Sequence, residues 1–179
     1  RLPDGRIYWG PEGADDAYTG YAHGTIGIIA QLARLNAIAP DPEAEALILD
    51  GWRAVRSRYD PRSSNWHSRY KEDGAALGWC HGAPGVLLGL LGLRRAGFVP
   101  GGLDDDIRHA FETLVNFGLG NNLSYCHGDW GNLEIARKTA LVMGWSLWEE
   151  RCRDAFDTAC RWTLELWKEG VPQRRLPVG

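Results

Sequence analysis

Two short runs hold the residues best suited to chemistry, Cys80-His81-Gly82 and Cys126-His127-Gly128. Zinc takes Cys sulfur and His nitrogen in tetrahedral sites, and a catalytic zinc keeps one of its four positions for water or substrate. Cys80, Cys126 and one imidazole would fill three positions and leave the fourth open. With His81 as a further ligand the same residues would make a closed, purely structural Cys2His2 site. The triplets lie 46 residues apart, too far for an ordinary zinc finger. One cysteine ahead of a helix is more often a small core residue than a ligand, but two in matching contexts argue for ligation. Two thiolates also offset the charge of Zn²⁺, which leaves the fourth ligand nucleophilic.

The triplets belong to a larger pattern. His-Gly-x-x-Gly occurs at His23–Gly27, His81–Gly85 and His127–Gly131, and an aromatic residue (Tyr21, Trp79, Tyr125) precedes each His by two positions. Self-similarity at this scale marks stacked supersecondary units. The residue before the His is Ala22 in the first copy and Cys80 and Cys126 in the others, so the first copy offers an imidazole without a thiol.

The elements that must position these residues are helical. Runs such as Ile28 to Leu35 and Val86 to Leu91 follow the pentads and are apolar nearly all round, as buried inner helices are. Pro84 suits a first turn, where its missing N–H costs nothing. Between the pentads lie more polar, amphipathic stretches: Asp41 to about Arg58, Asp104 to Gly118, and about Leu147 to Lys168. Acidic residues at their starts and glycine at an end suit helix polarity. Asp104-Asp105-Asp106 reads as a helix start with solvated carboxylates, in preference to a Mg²⁺-diphosphate site. His67 and His109 read as surface or structural, Cys152 and Cys160 as core, and Trp79 and Trp130 as candidate walls of the site. Tyr59 to Gly78 and Gly97 to Leu103 read as loops. The prediction is an all-α chain of three hairpins, each with an inner helix opened by a His-Gly turn and an outer, more polar helix.

Composition sets the remaining bounds. The 179 residues are 44% hydrophobic and 24% charged, which is globular. A net charge of −3 gives no electrostatic reason to expect nucleic acid. No apolar run approaches the roughly 20 residues that span a bilayer, and Arg1 to Gly5 has no charged-then-apolar signal pattern. Four cysteines outside any disulfide spacing suit a reducing, cytoplasmic setting.

Gly20-Tyr21-Ala22-His23-Gly24, Gly78-Trp79-Cys80-His81-Gly82-Ala83-Pro84-Gly85 and Cys126-His127-Gly128-Asp129-Trp130-Gly131-Asn132-Leu133-Glu134 together resemble the lanthionine synthetase C-like family. The last two are similar to the cyclase domains of class II lanthipeptide synthetases, enzymes of antibiotic biosynthesis. The resemblance spans residues 1–179 and implies an α/α toroid around a zinc held by Cys80, Cys126 and His127. It implies addition of peptide Cys thiolates to dehydroalanine or dehydrobutyrine, closing lanthionine and methyllanthionine rings, with His23 as the acid/base residue. The implied partners are a dehydrated precursor peptide, a fused dehydratase domain and further toroid repeats. Three hairpins are fewer than the family toroid needs, and the chain has no initiator Met, so a fragment of a larger enzyme is expected. His81 stands where some relatives carry Tyr, which leaves its role open. Two other functions fit the same residues: addition of glutathione or another small thiol to dehydroamino acids, and a metal-stapled helical repeat that only binds peptides.

Overall fold

The computed structural model describes residues 7–10 and 16–169, so Arg1 to Gly5 lies outside the described residues. Six helices dominate: α1 (Thr25–Asn36), α2 (Pro42–Arg56), α3 (Gly82–Arg95), α4 (Leu103–Phe117), α5 (Asp129–Met143) and α6 (Ser146–Glu169). They pair as three hairpins, α1 with α2, α3 with α4 and α5 with α6, and α3 packs between α1 and α5. The chain is all-α with inner and outer helices, as its patterning predicts.

Local chemistry explains most boundaries. At the start of α2 the Asp41 carboxylate accepts the Glu43 N–H at 2.9 Å, with Pro42 at the first helical position. The helix stops at Arg56, two residues short of the expected end. Arg58 is drawn into the following loop, where it donates to the Arg69 and Glu72 carbonyls and pairs with Asp73 at 2.9 Å. That loop carries short strands β1 (Tyr59–Asp60) and β2 (Asn65–Trp66), paired antiparallel, and then β3 (Leu77–Gly78). Trp66 pins it to the core at 1% exposure, so the stretch is more ordered than its polarity suggests.

One helix start differs from expectation. Asp106 is not solvated: it is 5% exposed, accepts the Trp52 indole N–H at 3.1 Å and pairs with Arg56 at 3.1 Å. One turn into α4, its side chain falls on the same buried face as Leu103, Ile107 and Ala110. Burial pushes its carboxyl pKa above the ordinary value, against the pull of Arg56.

The inner helices are not equivalent. Central α3 is enclosed as predicted, with Val86, Leu87, Leu90 and Leu93 closed to solvent. Its neighbour α1 buries Ile26, Ile29 and Ala33 but exposes Ile28 and Leu35, at 37% and 63%, on its free flank. The two helices approach closely, since a Cβ on Gly89 would meet Ile26 Cγ1 at 2.3 Å. Phe111 ties the second hairpin to the third by standing edge-on to Trp145 and Trp148. Cys152 is buried in this core, whereas Cys160 is only half-buried, and all four cysteines are free. Among the described residues no helix is long and apolar enough to cross a membrane.

Candidate metal centre

The three pentads repeat the same close glycine contacts, although Gly82 has a φ of +69° where Gly24 and Gly128 are extended. The first glycine of each lies so close to the residue six places earlier that a Cβ would strike its carbonyl oxygen. The distances are 2.5 Å from Gly24 to Tyr18, 1.6 Å from Gly82 to Ala76 and 2.3 Å from Gly128 to Asn122. The second glycine repeats this one turn later, against the carbonyls of Tyr21, Trp79 and Tyr125, at 1.9, 3.0 and 1.9 Å. Real Cβ contacts under 3.0 Å are essentially never seen, so five of the six positions require glycine for steric reasons, and at Gly85 a Cβ would only just fit.

The turns are also shingled on one another. A Cβ on Gly20 would lie 2.2 Å from the Cys80 carbonyl oxygen, and one on Gly78 would lie 3.0 Å from that of Cys126. The Trp79 N–H donates to the same Cys126 carbonyl at 2.9 Å. Side chains that the sequence reading missed complete the frame. Asn65 donates to the Ala76 carbonyl and accepts the Ala83 N–H at 2.7 Å, capping α3 from 18 residues away. Asn132 donates to the carbonyls of Leu77 and Gly118 at 3.0 and 2.6 Å, fixing the strand that leads into Cys80. The only signal for Asn132 was a polar residue on the buried side of an inner helix. Asn65 gave none, because its partners are distant in sequence.

This frame brings one ligand atom each from Cys80, Cys126 and His127 within 4.8 Å of one another, a set that could hold a metal ion. Cys80 is buried, Cys126 half-buried and His127 exposed, so the group opens to solvent on one side. Burial first, and then the neighbouring Cys126 sulfur, pushes the Cys80 thiol pKa up. The third turn is braced where the His127 N–H donates to Ser124 Oγ and Asn122 donates to the His127 carbonyl.

The other sequence candidates separate. His81 stays outside the donor set; its ring packs on Tyr18 at 5.0 Å between centroids. Burial lowers its pKa, reinforced by His23 and His127. His23 is exposed and lines a recess of about 560 Å³ with Trp79 and Ile28. Trp79 lines that recess and stands edge-on to Tyr21, whereas Trp130 packs on Phe156 of α6. His67 is structural, its Nδ1 accepting the Gly74 N–H at 2.9 Å, and His109 stacks on Tyr59.

The turn geometry makes a prediction. Gly→Ala in a helix is ordinarily favourable, yet Gly131→Ala should cost about 2 kcal/mol by forcing apart the third turn. Gly101→Ala, where a Cβ meets nothing within 4 Å, should change stability by less than about 0.5 kcal/mol. Urea denaturation of the two variants measures the contrast, and equal midpoints would contradict the steric account.

Comparison with known proteins agrees with this architecture. A search of curated proteins finds no match. Among solved structures the fold is similar to that of nisin cyclase, with a TM-score of 0.67 and 20% identity. The match covers 84% of this chain and 41% of that one, so the chain spans well under half of its structural relative. The family model described as lanthionine synthetase C-like protein matches residues 3–179. With its three His-Gly turns and paired helices, the chain belongs to the lanthionine synthetase C-like family.

Proposed function

We propose that this chain carries the metal centre of a zinc-dependent cyclase that forms lanthionine and methyllanthionine rings. The observation that carries the reading is the three-donor group of Cys80, Cys126 and His127, open on one side, with His23 at the corresponding position of the adjoining turn. Its dimensions suit zinc. Tetrahedral Zn–S and Zn–N bonds put a sulfur and a nitrogen about 3.6 Å apart, and Cys126 Sγ lies 3.7 Å from His127 Nε2. A peptide-binding staple closed by four protein ligands is disfavoured, because His81 lies outside the donor set.

Zinc bound there would lower the pKa of an incoming cysteine thiol, which is otherwise near 8.5 and mostly protonated at neutral pH. Sulfur adds to the β-carbon of dehydroalanine or dehydrobutyrine and the alkene electrons move to an enolate. The α-carbon then takes a proton to give the thioether. His23 suits that delivery: it is exposed in the recess, has Ala22 where the other turns have cysteine, and carries an imidazole able to give and take a proton. Trp79 and Tyr21 wall the recess. The substrate on this reading is a dehydrated precursor peptide. The free thiols fit a reducing compartment such as the cytoplasm.

Two tests follow. Zinc titration of the chain should give one site, lost in Cys80→Ala or Cys126→Ala, with X-ray absorption reporting two sulfurs and one imidazole. Affinity should rise with pH by up to about tenfold per unit for each thiol proton released, because metal must displace protons from a raised-pKa Cys80. A single sulfur, or stoichiometric zinc in the double variant, contradicts the assignment. His23→Asn, in a cyclase containing this chain, should keep zinc and slow ring closure by about 10²- to 10⁴-fold. Loss of zinc in that variant would make His23 a ligand instead.

A further inference from the structure

Tyr125 stands directly before Cys126, and both of its ends are held on α5. Its carbonyl oxygen lies where a Cβ on Gly131 would come to 1.9 Å, and its phenol donates to Glu134 Oε2 about one turn further along the helix. The other Glu134 oxygen is paired with Lys138, so the acceptor is itself held from two sides. The Tyr125 ring is 52% exposed, too open for burial to fix it, and the phenol's hydrogen bond therefore sets its direction. Tyr21 repeats the arrangement in the first turn. A Cβ on Gly27 would come to 1.9 Å from its carbonyl oxygen, and its hydroxyl accepts from Gln31 of α1 at 3.3 Å. Trp79 of the second turn has no hydroxyl, and there Asn132 ties down the strand that leads in. The hydrogen bonds that hold His127 itself come from Ser124 and Asn122, within its own turn.

We propose that Tyr125 is a positioning residue for the metal centre: its hydrogen bond to Glu134 anchors the third turn to α5 and so fixes where Cys126 and His127 stand. With the hydroxyl removed, the backbone contact at Gly131 remains, but the ring is freed and the peptide joining it to Cys126 gains room to turn. Two of the three donors would then lose more conformational freedom on taking a metal. The role rests on the metal reading for what the donors hold; the anchoring itself needs no metal.

The test is a double-mutant cycle on the zinc affinity of the full chain, measured by competition with a chromophoric chelator. Tyr125→Phe keeps the ring and should weaken zinc about tenfold, the lower end of what residues that orient ligands contribute. Glu134→Leu should weaken it equally, and the double variant no more than either alone, because both remove the same bond. Glu134→Gln keeps a carbonyl acceptor for the phenol and should stay within about threefold of the unaltered chain. The d–d absorption of the Co²⁺-loaded chain should shift in Tyr125→Phe while the urea midpoint hardly moves, a pattern that a merely structural bond would not produce. In the metal-free chain the same variant should exchange the bonded N–H groups of His127 and Asp129 about fivefold faster. In a chain that binds zinc, unchanged affinity in Tyr125→Phe, or additive losses in the cycle, overturns the proposal. Uptake of neither zinc nor cobalt by the unaltered chain would count against the metal reading; faster exchange would then leave the anchoring standing, and unchanged exchange would overturn it too.

Discussion

The close approach of one turn's cysteine carbonyl to a glycine of the turn before it governs the geometry of the site. Gly20 receives the Cys80 carbonyl at a separation no side chain would tolerate, and Gly78 receives that of Cys126 at one that leaves almost no room for a Cβ. Successive turns are therefore spaced by backbone against backbone, with little freedom left to rotamers. The two sulfurs inherit that spacing, since each Cβ leaves a chain already fixed on both sides. Donors spaced this way would lose little conformational entropy on binding a metal, in contrast to donors on separate flexible loops. Burial and a neighbouring sulfur disfavour the thiolate form of Cys80.

Burial across the donor set is graded as well. Cys80 lies at the floor, Cys126 part-way and His127 at the rim, so ligands approach from the His127 side. His23 lies in the recess lined by Tyr21 and Trp79, which meet edge-on. Asn65 and Asn132 brace the turns through carbonyls and N–H groups that would otherwise be orphaned.

The hairpins and the donor set were legible because the pentad is sterically obligatory. Glycines that must meet a carbonyl recur with the turn, and the cysteine ahead of the histidine stands out against the invariant frame. Features that depend on rotation or on distant partners were not legible. Asp106 belonged to an acidic run typical of a helix start, and only its angular position on α4 turned it toward Trp52 and Arg56. Trp79 and Trp130 look alike beside their motifs. Trp79 precedes its helix and projects into the recess, whereas Trp130 lies within α5, whose twist carries it to Phe156. The apolar run of α1 predicted burial on all sides, but the packing of this chain encloses only the flank toward α2 and α3.

A repeated turn held by backbone contacts separates fold from chemistry. The glycine contacts and the carbonyls six residues back involve no side-chain atom of the residue before the histidine, so that position can change without disturbing the turn. Ala22, Cys80 and Cys126 exploit this freedom, giving one turn an imidazole alone and two turns a thiol beside an imidazole. The same logic explains why the three histidines differ although their turns share the same glycine contacts. His127 enters the donor set, His81 is held on Tyr18, and His23 stays exposed in the recess. Each outcome follows from what the neighbouring turn presents to an otherwise equivalent ring. In a stacked repeat, where every unit meets a different neighbour, that is enough to give one motif three roles.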